Sequence, residues 1–308
     1  MCIRDSRNAL SALVGWAVLV AVGSATQDIA LDAYRIESAD VDAQAALAAT
    51  YQTGYRLAMI WAGAGALWLA ARAESLDASG YQQTAWQWAY LVMAGSMVLG
   101  PLVVLCSPEP PVRDIPAARN VREWLQGALI EPFSEFLSRY RWQAVLILGL
   151  IAVYRISDVV MGIMANPFYV DMGYSKDEVA AVSKVFGVLM TLVGAFIGGA
   201  LAVRLGVMRV LMLGAVLSAA SNVLFAWLGT RGHDLQALIW VVSADNLAGG
   251  LASSAFIAYL SGLTQVRYSA TQYALFSSMM LLLPKWLAGF SGVVVDSVGS
   301  VSYTHLRA

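Results

Sequence analysis

The sequence of 308 residues contains little charge, little cysteine and little histidine. Charged residues form 13% of it, well below the roughly 25% found in soluble domains. The net charge is −1 and the basic residues form no cluster, which argues against nucleic-acid binding. Hydrophobic residues, by contrast, form 59% of the chain, and the mean hydropathy is +0.66. This composition excludes an ordinary soluble domain and predicts a polytopic membrane protein.

The two ends of the sequence, MCIRD and VSYTHLRA, are related at the level of DNA. One choice of codons for Met1–Asp5 is the reverse complement of one choice for Val301–His305. Both ends can therefore come from one element, such as a transposon end used to prepare sequencing libraries. We expect both to be foreign to the protein, and the remainder to be an internal part of a longer chain. Only Cys106 and His233 then remain of their types, which excludes an intrachain disulfide, a zinc cluster and a Cys/His catalytic pair.

Apolar runs of about 20 residues, the length that a helix needs to cross a bilayer, recur along the chain. We predict eight spans, near 9–31, 51–71, 85–106, 143–165, 178–202, 207–229, 235–260 and 272–297. Small residues are frequent within them, as in GAFIGGALA and AGGLASSA, which favours close packing of helix backbones over a phosphate-binding loop. The predicted fold is an all-α, polytopic membrane bundle.

The longest polar interval, residues 107–142, separates the third span from the fourth. It begins with SPEPPVRDIP, whose prolines cannot continue a helix. Apolar residues then recur at helical spacing in VREWLQGALIEPFSEFLSRY, which predicts an amphipathic helix. Such a helix can lie on the membrane surface or pack against the spans, and the pattern does not choose between the two.

Lysine and arginine are distributed unequally between the two sides of the predicted bundle. Loops on one side carry only three of them, Arg72, Lys176 and Arg231. Loops on the richer side carry nine: Arg35, Arg113, Arg119, Arg122, Arg139, Arg141, Arg204, Arg209 and Arg267. Because cytoplasmic loops are enriched in these residues, we place the long interval in the cytoplasm, and the first span runs from outside to inside.

Several ionisable residues fall inside the spans, where each costs about 2.5–3.5 kcal/mol on insertion scales. Asp28 and Asp32 lie four positions apart and so share one helical face. Arg155 and Asp158, three positions apart, also share a face. The others are Arg56, Lys184, Asp245 beside Asn246, Lys285 and Asp296. Because lipid cannot accept these groups, we expect them to face one another or a watered cavity.

Some of these residues also have a purely structural interpretation. Arg155 could simply neutralise Asp158, and Asp32 could pair with Arg35 at the membrane interface. Asp28 has no opposite charge within a turn, so its partner must come from another helix or from a ligand. Burial and a second acid one turn away both favour the protonated form of a carboxylate. We therefore predict that Asp28 and Asp32 carry a proton or hold a polar substrate.

The motif SATQDIALDAYR resembles the fourth-helix signature of the AmpG muropeptide permeases, a branch of the major facilitator superfamily. The segments GYRLAM, SPEP, DNLAGGLASSAFIAYL and YSATQYALFSSM follow in the order and spacing typical of that family, so the resemblance covers about 7–299. It implies twelve helices in two six-helix halves joined by a cytoplasmic loop. The spans present here would be helices 4 to 11.

The resemblance also implies a domain organisation. Residues 7–106 would hold helices 4–6, the end of the N-terminal half. Residues 107–142 would form the cytoplasmic inter-domain loop with its amphipathic helix, and 143–300 would hold helices 7–11 of the C-terminal half. The segments 1–6 and 301–308 are set aside as adapter-derived.

A function is implied as well. The family imports GlcNAc-1,6-anhydroMurNAc, with or without its peptide, across the bacterial inner membrane for peptidoglycan recycling, driven by the proton gradient and without a cofactor. For this chain it implies a monomeric transporter in the lipid bilayer, with no enzymatic activity, metal or nucleic-acid partner. The residues implied for proton coupling or substrate binding are Gln27, Asp28, Asp32, Arg56, Arg155, Asp158, Asp245, Asn246 and Gln272.

Three alternatives remain open. A group of acetyl-CoA carriers has a similar helix-4 motif, so the substrate could be an acyl-CoA or another anionic conjugate. The cations inside the spans are about balanced by acids, however, and a near-neutral cavity suits a sugar better. An intramembrane enzyme could use paired aspartates, although Asp28 and Asp32 share one helix. The third alternative is a receptor that does not transport.

Overall fold

The computed structural model describes residues 3–40, 43–74, 83–110 and 120–293, which form a bundle of long helices. Over these ranges the chain contains no β-strand, and the predicted all-α membrane fold is confirmed. Asp296, the middle of the polar interval, the first two residues and the C-terminal end of the chain lie outside the described residues, as does the side chain of Lys184.

We refer to the described helices, by their position before, within or after the polar interval 107–142, as a first half, a linker and a second half. The first half contains α1 (Ile3–Glu37), α2 (Gln44–Ile60), α3 (Ala66–Ala73), α4 (Gln83–Ser96) and α5 (Leu99–Cys106). The linker contains α6 (Val121–Leu125) and α7 (Glu131–Tyr140). The second half contains α8 (Gln143–Tyr154), α9 (Ile156–Asp171), α10 (Lys176–Ala181), α11 (Val188–Leu205), α12 (Val207–Gly229), α13 (Leu235–Leu263) and α14 (Ser269–Ala288). Short π-helical turns join α2 to α3, α6 to α7 and α10 to α11.

Helices are present at the positions of all the predicted spans, but seven, not eight, are long and apolar enough to cross a membrane within the described ranges. The exception is the second predicted span, which corresponds to α2 and α3. The π turn Trp61–Gly65 divides it into α-helical parts of 17 and 8 residues, and neither part is long enough alone. The backbone nevertheless stays helical from α2 through this turn into α3.

Helix α13 forms the centre of the second half, with α11 and α12 packed against it. Glycines allow this packing. A Cβ atom added to Gly250 would collide with the carbonyl oxygen of Thr191, and one added to Gly194 would collide with that of Leu247. The backbones of α11 and α13 are therefore in direct contact, as the small residues of these spans predicted.

Two turns are tied together at the end of the second half where α9 and α12 stop. Ser175 and Glu178 form a reciprocal capping box at the start of α10, and Glu178 also lies 3.1 Å from Nε2 of His233. The hydroxyl of Tyr174 donates to the carbonyl oxygen of Asp234 at 2.9 Å. Hydrogen bonds from Ser175 and from His233 hold the pKa of Glu178 below its ordinary value, and burial raises the pKa of Tyr174.

The linker helix α7 packs against the second half. Phe136 is 2% exposed, and its ring centroid lies 5.0 Å from that of Phe276 on α14. Arg139 donates to the carbonyl oxygen of Leu263, the last residue of α13. Three residues earlier on α7, Phe133 remains exposed. The predicted amphipathic helix thus packs on the spans and also leaves apolar side chains uncovered.

The two halves touch each other directly. Helix α2 packs against α11 and α13, and α1 packs along α14. These contacts bring the C-terminal end of α1 and the N-terminal end of α2 next to the C-terminal end of α13, at the arginine-rich side of the bundle.

Candidate functional site

The acidic motif lies in the last turns of α1. Gln27 and Asp28 are exposed, whereas Asp32 is half-buried and accepts a hydrogen bond from Arg35 at 3.3 Å. Asp28 and Asp32 are close enough for their charges to interact. The pairing of Asp32 with Arg35, which the sequence left as an alternative, is therefore present. Asp28 makes no hydrogen bond or ion pair with the described part of the chain.

Arg35 is a residue whose surroundings sequence analysis missed. Only 5% of it is exposed. Its guanidinium group donates to the hydroxyl of Ser261 at 2.8 Å and to the side-chain oxygen of Gln44 at 3.3 Å. Its Cζ atom also lies 5.6 Å and 5.1 Å from the ring centroids of Tyr51 and Tyr273. No sequence signal could reveal this site, because Ser261 lies 226 positions away.

Arg155 occupies a break between two helices. It separates α8 from α9 and has φ −100° and ψ 6°, outside helical values. Its guanidinium group donates to Ser253 of α13 at 2.9 Å and lies 3.9 Å from the carboxylate of Asp158. Its Nε atom is buried without a hydrogen-bond partner in the described structure. The predicted internal pair with Asp158 is present, but it is long and leaves this donor unsatisfied.

Asp158 and Asp245 are brought together from different helices. Asp245 accepts a hydrogen bond from Ser221 of α12 at 2.9 Å. Asp158, on α9, interacts with the hydroxyl of Ser218, which lies one turn before Ser221 on α12. The charges of the two aspartates also act on each other. Three helices of the second half therefore supply one row of polar groups, which continues to Arg155 through its ion pair with Asp158.

Asn246 and Arg56 occupy different surroundings. Asn246 accepts a hydrogen bond from Thr191 of α11 at 3.0 Å and donates to the carbonyl oxygen of Val242 at 2.8 Å, so it helps to join α13 to α11. Arg56, on α2, is half-buried and forms no hydrogen bond or ion pair within the described ranges. It lies close enough to Arg155 for the two positive charges to repel each other. Each half therefore contributes one cation to this region.

Gln272 lies apart from these residues, at the contact with the linker. It is 1% exposed. Its amide nitrogen donates to the carbonyl oxygen of Pro132 at 2.9 Å and to the carboxylate of Glu135 at 2.7 Å. Its amide oxygen accepts from the backbone N–H of Gln265 at 2.7 Å. The structure therefore joins Gln272 to α7, and not to the candidate residues on α1, α9 and α13.

The chemistry that this arrangement offers is proton exchange and hydrogen bonding. Across the described ranges, no group of three or more His, Cys, Asp or Glu side chains is placed to hold a metal ion. The candidate residues instead supply carboxylates, guanidinium groups, hydroxyls and amides on both halves. Carboxylates in such surroundings can take up and release protons, and the other groups can bind the hydroxyls, amides and charges of a polar solute.

Comparison with known proteins agrees with this arrangement. The sequence pattern of the Major Facilitator Superfamily matches residues 5–299. The chain is 32% identical over 283 residues to an AmpG-type transporter of Rickettsia conorii, in a match that covers 92% of this chain and 66% of the relative. It is 33% identical over 284 residues to the anhydromuropeptide permease of Escherichia coli, covering 92% of this chain and 54% of that protein.

A protein of Haemophilus influenzae described as uncharacterized is 30% identical over 308 residues, covering 97% of this chain and 69% of the relative. The chain thus spans between about half and two thirds of the length of the first two relatives. The resemblance to AmpG-type transporters seen in the helix-4 motif is confirmed along nearly the whole chain. The chain belongs to the major facilitator superfamily, a family of secondary transporters.

Proposed function

We propose that the protein imports cell-wall muropeptides across the bacterial inner membrane, driven by the proton gradient. The substrate would be GlcNAc-1,6-anhydroMurNAc with or without its peptide. The observation that carries this proposal is the match to a protein named anhydromuropeptide permease over 92% of the chain. Polar and ionisable residues from several helices of both halves support it, because transporters bind their substrates near the middle of the membrane between the halves.

The candidate residues divide into two groups under this proposal. On the first half, Asp28 is the acid that exchanges the proton, since the described structure gives it no structural partner and leaves it exposed. On the second half, the row from Arg155 through Asp158 to Asp245 binds polar groups of the substrate. The remaining proposed contacts are Gln27, Asp32, Arg56 and Asn246, whereas Gln272 is assigned to the contact with the linker.

The pair of cations from the two halves favours a substrate with an anionic group. Arg56 and Arg155 repel each other, and a carboxylate placed near both would relieve that repulsion. Muropeptides carry carboxylates, and so do the acyl-CoA and other anionic conjugates that form the alternative class of substrate. A CoA conjugate also carries several phosphates, for which a site usually provides further Arg or Lys residues.

The test is uptake of labelled GlcNAc-anhydroMurNAc by the complete protein, expressed in cells that lack their own permease. Uptake should collapse when a protonophore is added and should fall to background in Asp28→Asn. The matched control is Asp40→Asn, which removes an exposed acid just beyond α1 and should leave uptake unchanged. If a well-expressed, inserted protein shows no uptake, muropeptide import is rejected, and acyl-CoA conjugates are the next substrates to test.

A further inference from the structure

We propose that Arg35 is the central residue of a latch that holds the cytoplasmic ends of the two halves together and so closes a gate there. The latch is defined as Arg35 with Asp32, Gln44 and Ser261. The proposal rests on the proposed function only because it assumes a transport cycle. The distribution of Lys and Arg identifies this end of the bundle as the cytoplasmic one. It assigns a closed cytoplasmic end to this conformation.

The latch joins the halves at their ends. Arg35 lies three residues before Ser38, where α1 has stopped, and Ser261 lies in the last turn of α13. Their 2.8 Å hydrogen bond therefore spans from the first half to the second. A second bond runs beside it, from the hydroxyl of Ser269 at the start of α14 to the carboxylate of Glu37. Two separate polar contacts thus hold the same ends together.

Burial of Arg35 requires the halves to be in contact. Removing an arginine from water is costly, and hydrogen bonds and an opposite charge offset that cost. Asp32 and Gln44 come from the first half, whereas Ser261 and the ring of Tyr273 come from the second. Separating the halves removes the second set and admits water. The 5% exposure of Arg35 therefore reports that this end is closed.

One donor of the latch is left unsatisfied, which weakens the closed state. The Nε atom of Arg35 is buried and has no partner in the described structure. Opening this end would give that N–H a water partner and so offset part of the cost of losing Ser261. A fully satisfied arginine would hold the closed state more strongly.

Beside the latch, α2 of the first half and α11 of the second half are in close contact, which also helps to close this end of the bundle. A Cβ atom added to Gly199 of α11 would lie 2.8 Å from the Cβ of Ala49 and 3.1 Å from the carbonyl oxygen of Ala45, both on α2. Ala45 and Ala49 are 2% and 4% exposed. Small residues on both helices therefore bring the halves together, next to the Gln44 contact of Arg35.

The latch gives Asp32 a role other than proton exchange. Asp32 lies one turn before Arg35 and accepts from its Nη2 at 3.3 Å, which directs the guanidinium group toward Ser261. Asp32 is therefore a positioning residue for the latch. Loss of transport in an Asp32 variant would follow from an unlatched gate, even where the proton is carried by Asp28.

The gate can be tested without a substrate, by labelling a buried cysteine placed next to the latch. Thr264 is 6% exposed, and together with Gln44 and Ser261 of the latch it lines a pocket of about 470 Å³. In a cysteine-free background of the complete protein, Thr264→Cys is labelled with an impermeant maleimide in inside-out vesicles. Labelling should be slow with Arg35 present and about tenfold faster in Arg35→Ala, because the buried hydrogen bonds of Arg35 are lost.

Controls separate opening of the gate from unfolding and from loss of charge. Arg204→Ala removes an exposed arginine from the same side and should leave the labelling rate unchanged. Val210→Cys, at a position with 0% exposure within the second half, should stay protected in Arg35→Ala. Asp32→Asn and Ser261→Ala should raise Thr264→Cys labelling in the same direction as Arg35→Ala.

Equal labelling of Thr264→Cys with Arg35 and with alanine at that position would overturn the latch. So would deprotection of Val210→Cys in the same variant, since Arg35 would then be needed for folding and not for closure. Because the readout contains no substrate, a failed uptake assay would reject muropeptide import and leave this result standing.

Discussion

At the scale of single residues, Gln272 combines almost complete burial with three hydrogen bonds. Gln272→Ala should lower the free energy of unfolding by about 1–3 kcal/mol, because the N–H of Gln265 and the carbonyl oxygen of Pro132 lose their partner. Thermal unfolding of the complete protein in detergent measures this loss. Gln87→Ala, at an exposed position, should have little effect. A fall in uptake without a change in stability would instead place Gln272 in the substrate site.

The carboxylate of Glu178 predicts a second effect, on the dependence of stability on pH. Its folded pKa lies below the ordinary value of 4.5, mainly through hydrogen bonds from Ser175 and His233. The stabilisation of the folded state by the ionised Glu178 carboxylate is therefore complete above pH 4.5, the ordinary pKa. It is lost as the pH falls through the lower pKa of the folded state. Between about pH 6 and about pH 3 the melting temperature of Glu178→Gln should fall less steeply than that of the parent.

The control for this effect is Glu109→Gln, which removes an exposed glutamate on the opposite side of the bundle. Its melting temperature should follow that of the parent across the same pH range. Equal slopes for the parent and Glu178→Gln would show that the Ser175–Glu178–His233 contact contributes nothing to the acid sensitivity of the fold.

At the scale of helices, the contact between α11 and α13 depends on the absence of a side chain. Gly250→Ala should destabilise the second half by about 1–3 kcal/mol, because its methyl group would collide with the backbone of Thr191. A Cβ atom added to the adjacent Gly249, by contrast, would have nothing within 4 Å. Gly249→Ala should therefore be neutral or slightly stabilising through helix propensity.

Melting of the two purified variants compares these neighbouring positions directly. The same substitution, in the same helix and one residue apart, changes the local propensity in the same direction. Only the contact with α11 differs between them. Equal melting temperatures would contradict the close packing of α11 on α13.

At the scale of the whole molecule, orientation in the membrane follows from the distribution of positive charge. Cysteines at Ser138, in the linker, and at Thr230, after α12, should be labelled from opposite sides by an impermeant maleimide. Ser138→Cys should react from the cytoplasm, since its side of the bundle is rich in arginine, and Thr230→Cys from outside. A permeant maleimide should label both. Labelling of the two cysteines from the sides opposite to those expected would mean that the orientation is reversed. Labelling of both from one side would mean that one of the helices between them does not cross the membrane.

The surface of the described bundle agrees with a position inside a membrane or a larger helical assembly. On α1, Trp16 is 68% exposed and Leu19 is 63% exposed, and none of the apolar window of that helix is buried. The helices of the second half bury more of theirs, up to 44% for α13. An apolar surface as large as that of α1 is unfavourable in water, so lipid or further helices must cover this helix.

The class of the protein, its helices and its family could be predicted from the amino-acid sequence alone. Composition and apolar runs of bilayer length sufficed for these, because crossing lipid demands uninterrupted internal hydrogen bonding and leaves the helix as the available form. The motif around Asp28 and Asp32 was also sufficient to indicate the family. These are local properties, which depend on neighbouring residues along the chain.

Which polar residues contact one another across helices depends on how the helices pack. The pairing of Asp32 with Arg35 and of Arg155 with Asp158 could be anticipated, since each pair lies within one helical turn. The contacts of Arg35 with Ser261, and of Asp245 with Ser221, could not. Each of these contacts joins two different helices. The angle and register at which helices pack depend on side chains that are distant in sequence, and the apolar pattern of a single span gives no information about those side chains.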